Sequence, residues 1–542
     1  MTLNKQTVII SKKLVGNLVY DYLSQKKEVR IFYNQFPDTN GFKQILSSKD
    51  VFKNIDRKLL VKVLKEQSSL VNNSNPRSLK NIELLSKENS FTVTTGHQLC
   101  LFTGPLYFIY KIFSVINLCE KLKLEFPENN FIPLYWMASE DHDFEEVNHL
   151  NVFGKKIVWN LEQSGSVGNF STEGLGEIQK QLKDIFGENE NTNYLLKLFG
   201  DAYIKNPSVP ERAGKNLADA TRYLVNELFG KYGIVILDGQ NALLKKRFEN
   251  YIKKDIFENV PFKKVSESIE YLKKLGYSSQ VNPREINCFY SEPGLRARIE
   301  KDGTNYKVIG TDKIFSKTEL EKLIETGPEK ISPNVVLRPC YQQAILPNIA
   351  YVGGPGELAY WLEYKAMFDE LKLAFPILVP RKFVTVLDST SQQKIKKFGF
   401  SNQDLEEDEQ TLIKMYLEKS NVVFQLEKYK KELEVLYSRV NREASEIDKT
   451  LSSAVEAEKQ KSINALTNIE AKLNKALKQK SETEINQIKA LKNKLFPNHA
   501  PQERFDNFSM PYLKWGPEFL NFLKESLEYD LIDWDQVFVG EE

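Results

Sequence analysis

The chain has 542 residues, of which 41% are hydrophobic and 27% charged, with a formal net charge of +2. That length exceeds one ordinary core and predicts two or three domains, and the near-neutral charge excludes a global electrostatic pull toward nucleic acid. The four cysteines, Cys100, Cys119, Cys288 and Cys340, form no C-x-x-C pair, which argues against a zinc ribbon or a disulfide framework and leaves small buried thiols. The N-terminus lacks signal-peptide architecture. The most apolar run, 106–118, contains Lys111 and is shorter than the ~18 residues a membrane span needs. A cytoplasmic protein with no membrane or nucleic-acid partner is expected.

Residues 1–90 read as mostly helical and charged. Apolar, β-branched or aromatic runs then end repeatedly in polar residues: SFTVTTG (90–96), NFIPLYWMASED (130–141), YGIVILDGQN (232–241), NVVLRPCY (334–341), NIAYVGG (348–354) and AFPILVPRKFVTVLD (374–388). Helix-like segments at 105–124 and 355–373 lie between them. Strands apolar throughout and alternating with helices predict an α/β fold with a parallel sheet covered on both faces. The alternation is interrupted twice, and both interruptions read as insertions between strands of one sheet. The predicted division is 1–151 for N-terminal helices and the first part of the core, 152–230 for the first insertion, 231–241 for a core strand, 242–333 for the second insertion and 334–400 for the rest of the core. A coiled coil over 401–497 and a tail over 498–542 that docks on the core complete it.

The coiled coil is read from its spacing. No Gly or Pro occurs between Gly399 and Pro497, and apolar residues run Leu426, Tyr429, Leu433, Leu436, Val440 at steps of three and four. The steps 436, 440, 444 form a stutter, which locally unwinds a supercoil. Such a stripe is packing surface, and its plain use is homodimerisation.

In an open parallel sheet ligands bind beyond the carboxyl ends of the strands, and every polar cluster of interest falls at such an end. Thr95, Gly96, His97 and Gln98 follow the first run. There a glycine lets a ligand approach the backbone, and His97 could donate to a phosphoryl oxygen or simply cap a turn. Glu140, Asp141, His142, Asp143, Glu146 and His149 follow the second. A helix starting near Asp143 would put Glu146 and His149 on one face, so the cluster could act as acid and base, bind a substrate, or bind a divalent metal, although it matches no standard zinc spacing. Gly353, Gly354, Gly356 and Glu357, with Trp361 beyond, form a glycine-rich strand-to-helix turn suited to a nucleotide or carboxylate, or to a tight structural turn. Arg381 and Lys382 could hold phosphates or carboxylates. The tail carries Gln502, Glu503, Arg504 and Asn507, which could line a second pocket.

Together, "TTGHQ…TGP", "WMASEDHDFEEVNH", "VLRPCYQQ…LP…AYVGGPGELAYW", the coiled coil and the "QER" tail resemble the cysteine-adding enzymes of bacillithiol biosynthesis, the BshC family, over nearly the whole chain in the expected order. The resemblance implies a Rossmann-like core with connective-peptide insertions and a coiled-coil dimerisation domain. It implies a ligase that joins cysteine through an amide to the amine of glucosaminyl malate, with ATP as the expected source of activation and no protein-bound metal. That family's core is similar to class I aminoacyl-tRNA synthetases, whose His-x-Gly-His motif binds ATP. Here His97 of "TGHQ" lies in the comparable place, the four-residue motif is incomplete, and "PRK" at 380–382 stands where a Lys-Met-Ser-Lys-Ser loop is absent. On this reading His97, Asp141, His142 and Asp143 are catalytic. The rival readings are a metal-dependent hydrolase built on Glu140–His149 and a non-catalytic coiled-coil scaffold.

Overall fold

The computed structural model describes residues 3–48, 52–204, 216–420, 426–529, 531 and 534–541, without the side chain of Lys478. Residues 205–215 of the predicted first insertion, 421–425 of the predicted coiled-coil region and the remaining positions of both termini and the tail lie outside the described residues. Two compact units divide the chain. The larger comprises 3–386 and 502–539, and the smaller comprises 387–501 with the extreme ends.

The core of the larger unit is a five-stranded sheet. Its strands are β1 (Ser90–His97), β2 (Asn130–Met137), β3 (Val235–Asp238), β4 (Asn348–Gly353) and β5 (Ile377–Pro380), in the spatial order β5-β4-β1-β2-β3. All neighbours pair in parallel. Alternate side chains go to opposite faces, as the pleat requires. Ile132, Leu134, Trp136, Val235, Leu237, Tyr351 and Leu378 share one core, while Val93, Val352, Ile377 and Val379 face another. Helix α1 (Tyr107–Glu125) follows β1 and is buried on nearly every side from Phe108 to Cys119, which is why its sequence is apolar all round. Because β1 leads on to β2 on one side while β4 flanks it on the other, the order reverses between β1 and β4. That reversal is the topological switch point, where the carboxyl ends splay into a crevice.

Two of the predicted strands differ. The run 334–341 is not a strand. Asn334 Oδ1 accepts from the N–H groups of Val336 and Leu337, and with Pro339 in the first turn this starts helix α2 (Arg338–Ile345). The run 374–388 is two strands. It breaks after Pro380, and Phe383–Leu387 joins a separate three-stranded sheet with Leu3–Ile9 and Asp535–Glu541. Helix α3 (Pro355–Glu363) follows β4.

The first interruption is a hairpin, His149–Val152 with Lys155–Val158, followed by helices. The second holds helices and then an antiparallel sheet built from Cys288–Glu292, Leu295–Asp302, Asn305–Val308, Ile314–Ser316 and Ile331–Pro333. In the smaller unit, α4 (Glu427–Ile447) and α5 (Leu451–Lys480) form a hairpin, with α6 (Glu482–Leu495) beyond. The turn needs neither Gly nor Pro, because Asp448 leaves the helical region and its carboxylate accepts from the Thr450 N–H. Among the described residues no helix is long and apolar enough to cross a membrane.

Candidate active site

A cavity of about 680 Å³ opens over the carboxyl ends of β1, β2 and β4, at the switch point. The parallel sheet contributes one wall, and Phe289, Arg296 and Arg298 of the second insertion's antiparallel sheet contribute another. One lysine and six arginines line it against three carboxylates, those of Glu140, Asp141 and Glu357. A wall with more cations than carboxylates is a site for anions.

Under the β1–β4 crevice lies a buried ionic network. Lys111 on α1 donates to both carboxylate oxygens of Glu357, at 2.9 and 2.8 Å, and to the Gly96 carbonyl. Tyr351 on β4 donates to Glu357 at 2.6 Å, and the Gly354 N–H donates to the same carboxylate at 2.9 Å. Burial pushes the Glu357 carboxyl up, but the Lys111 ammonium and these hydrogen bonds outweigh it and hold it below its ordinary range. Glu357 is thus the anion at the start of α3 and ties the β1 side of the switch to the β4 side. A Cβ at Gly96 would stand 3.4 Å from the Tyr351 hydroxyl, itself a member of the network, so the strand end and the network are in direct contact.

His97 is buried against Tyr107 and Phe108 on α1, and among the described residues its Nε2 has no hydrogen-bond partner. Burial, with the charges of Lys111 and Arg381, holds its imidazole well below the ordinary histidine range, so near pH 7 the ring is neutral. At the end of β2, the Asp141 carboxylate accepts from Gln98 at 2.9 Å and from the His142 N–H at 2.8 Å. Burial alone would raise this carboxyl. The hydrogen bonds from His142 and Gln98 and the charge of Arg296 reverse the effect and hold it far below the usual carboxylate range. Arg296 lies 2.8 Å from His142 Nδ1. The same nitrogen stands 3.5 Å from Asp141 Oδ1, so Arg296, His142 and Asp141 form one linked group at the end of β2.

The structure brings Gly96, His97, Gln98, Glu140, Asp141, His142, Gly354, Gly356, Glu357, Arg381 and Arg504 to one cavity. The others are placed elsewhere. Thr95 is fully buried inside the sheet and donates to the Val352 carbonyl at 2.8 Å, stitching β1 to β4. Gly353 lies beneath the turn, where its carbonyl accepts from the Arg381 N–H. Trp361 packs in the core against Tyr351, Phe368 and Phe375. Asp143 is the N-cap of the short helix Phe144–Val147. That helix ends before His149, which begins the hairpin, so Glu146 and His149 do not share a helical face. Lys382 pairs with Asp535.

The tail residues make buried hydrogen bonds to the core. Glu503 accepts a bidentate pair from the buried Arg381 guanidinium and the N–H of Val384. Gln502 accepts from Val386, and Asn507 donates to Phe102 and Gly104. These are docking bonds, and only Arg504 of the four reaches the cavity. Cys100 lies nearby, but burial pushes its thiol up to about 12, so it is no nucleophile at neutral pH.

Sequence reasoning missed Lys111, Arg284, Arg296, Arg298 and Arg338 as cavity residues. Two left signals. Lys111 is a lone cation in a helix apolar all round, which a buried partner must explain. Arg296 and Arg298 stand two apart on one strand and so share a face.

A doubly wound Rossmann-like sheet with a cationic cavity at its switch point defines an α/β protein built to bind small anionic molecules. The family model for the N-terminal Rossmann-like domain of bacillithiol biosynthesis BshC matches residues 3–382, and that for the C-terminal coiled-coil domain matches 384–531. The chain belongs to the bacillithiol biosynthesis BshC family. It is 47% identical over 515 residues to a Flavobacterium psychrophilum protein named "Putative cysteine ligase BshC", covering 94% of this chain and 95% of that one. Proteins of the same name from Flavobacterium johnsoniae and Cytophaga hutchinsonii are 43% and 39% identical, with 94–95% of each chain covered.

Proposed function

We propose that this protein is a carbon–nitrogen bond-forming ligase that adds cysteine, through an amide, to the amine of glucosaminyl malate. The observation that carries the reading is the cavity: seven cationic side chains against three carboxylates, enclosing the Asp141–His142 pair at the switch point. A malate ester or glycoside presents two carboxylates, and arginines in excess of acids supply the matching charge. The names of the relatives supply the amino acid.

Amide formation from a free carboxylate is uphill in water, so the cysteine carboxylate must be activated. A nucleoside triphosphate would supply the activating group, as an adenylate or acyl phosphate. The residues fit such a ligand. The Arg381 Nε is buried and has no partner among the described residues, and a Cβ placed on Gly354 would fill the space 3.5 Å from it. Arg381, the Gly354–Gly356 turn and the neutral His97 would hold the phosphates. The ionised Asp141 orients the attacking amine and accepts a hydrogen bond from it. His142 donates a hydrogen bond to the oxygen on which charge develops.

The test is direct. Purified protein given cysteine, glucosaminyl malate and ATP forms a product heavier than glucosaminyl malate by one cysteine less one water, read by mass spectrometry. Cells lacking the gene lose that thiol and accumulate glucosaminyl malate. An unchanged thiol pool overturns the reading, and product formed without ATP removes the nucleotide from it.

The working form we propose is a homodimer through the smaller unit. None of α4 is buried, and Val435, Leu436, Val440 and Ile447 are 54%, 56%, 43% and 83% exposed on a helix whose pattern predicts packing.

A further inference from the structure

Residues 279–287 connect the helix Val260–Lys274 and its following turn to the strand Cys288–Glu292, and they contain neither helix nor strand. An irregular segment must find partners for its backbone groups outside itself. Here two buried carboxyls provide them. Glu363, at the end of α3, accepts from the Gln280 N–H at 2.8 Å and from the Ser279 hydroxyl at 3.2 Å. Asp255, on the helix Glu249–Glu258, accepts from the Asn287 N–H at 2.7 Å and from its side-chain amide at 2.9 Å.

The pinned ends reach the cavity by short routes. Asn287 Nδ2 also donates to the Arg284 carbonyl at 2.8 Å, and its Oδ1 accepts from the Arg284 N–H at 3.2 Å. The Asn334 N–H donates to the Asn287 carbonyl at 2.9 Å. Asn282, Arg284 and Asn334 all line the cavity, and the buried Pro283 stiffens the backbone between the first two. Among the described residues the Arg284 guanidinium has no ion pair, so its charge is available to a ligand.

The cost of this arrangement argues for its purpose. Asp255 and Glu363 are 0% exposed, and among the described residues neither pairs with a lysine or arginine. Burial pushes each carboxyl up to about 7. Each carboxyl uses both of its oxygens as acceptors, which a neutral amide with one oxygen cannot do, so the carboxyls contribute paired, directed acceptors rather than net stability.

We infer that residues 279–287 are a pinned recognition arm, in which Asp255 and Glu363 are positioning residues that hold Arg284 and Asn282 ready for the carboxylate-bearing end of the sugar substrate. The identity of that substrate rests on the ligase reading; the anchoring of the arm does not.

Steady-state kinetics with each substrate varied separately provides the test. Glu363→Ala and Asp255→Ala raise KM for glucosaminyl malate roughly tenfold and leave KM for cysteine within about twofold. Glu363→Gln, whose oxygen keeps the Gln280 N–H and whose amide can donate to the Ser279 hydroxyl, recovers most of the loss, whereas Asp255→Asn, with one acceptor for two N–H donors, recovers less. In an Arg284→Ala background, Glu363→Ala adds less than about twofold, because both act on one contact. Equal rises in both KM values, or the full tenfold factor on top of Arg284→Ala, overturn the inference. If Asp255→Ala does not fold, the Glu363 and Arg284 cycle decides alone. Calorimetry with L-malate as the probe reads the arm without turnover. Weaker binding by Arg284→Ala and Glu363→Ala supports it even if the wild type forms no amide, an outcome that would overturn the ligase reading alone. Equal affinity in all three proteins overturns the arm.

Discussion

The carboxyl edge of the parallel sheet and the coiled-coil helices are both rich in charge, and they use it in opposite ways. Behind the cavity wall, two charged groups are buried and individually placed: Lys111 is 2% exposed and fastened to Glu357, and Arg381 is 2% exposed and gripped by Glu503. On α5, Lys459 with Glu456 and Lys461 with Glu458 are pairs three residues apart, mostly in water. Buried charges cost much when unpaired and therefore define geometry, whereas solvated pairs contribute little and define only which face is wet. The same residue types thus specify a site in one region and a helical period in the other.

Removing one partner from each kind of pair breaks the comparison most sharply. Glu503→Ala strands the Arg381 guanidinium in the interior and is expected to destabilise the larger unit by about 3–5 kcal/mol, read as a shift in denaturant midpoint. A shift no larger than that of a surface variant would mean that the pair is hydrated in solution. Next in size, Asp141→Ala is expected to lower the rate of product formation about 100-fold or more with little change in unfolding midpoint, because the residue serves the reaction more than the fold.

The pH dependence sharpens the contrast further. The folded-state carboxyls of Asp255 and Glu363 are raised to about 7, above the unfolded values near 4. Their contribution is fully present below pH ~4 and is lost as pH rises through about 7, with a slope of about 1.4 kcal/mol per pH unit for each group between those limits. Asp255→Asn with Glu363→Gln should flatten the unfolding free energy over that interval. An unchanged slope would show both groups ionised in the folded protein. In the coiled coil, Leu436→Glu is expected to shift the sedimenting species from dimer to monomer. The smallest effect is that of Lys461→Ala, which should leave both the midpoint and the mass unchanged.

Much of the fold is legible in the residues. Apolar runs ending in polar ones mark β1 to β5, and the uninterrupted spacing after Gly399 marks the helical unit. The misreadings share a cause. "NVVLRPCY" has the composition of a strand, but the Asn334 side chain and Pro339 act on backbone N–H groups and start a helix. "AFPILVPRKFVTVLD" is apolar throughout, and only its neighbours divide it between two sheets. At the site, the glycine turn and the Asp141–His142 pair stand out as polar residues at strand ends. Trp361 and Thr95 sit next to such ends in sequence, yet the pleat or the helix turns them into the core.

What the sequence by itself determined is therefore periodic and local: which segments alternate as strand and helix, where the strands stop, where a helix keeps one apolar stripe, and the motifs that place the chain in its family. What only the tertiary structure decided is convergence. Arg284, Arg296 and Arg298 come from an insertion, Arg338 from a helix that reads as a strand, and Arg504 from the tail, and nothing periodic links them. They meet because the order of strands reverses between β1 and β4 and leaves an open crevice. The buried partners, Glu357 for Lys111 and Glu503 for Arg381, are chosen by the same packing, since a charge removed from water must find its counter-charge wherever the fold brings one within reach.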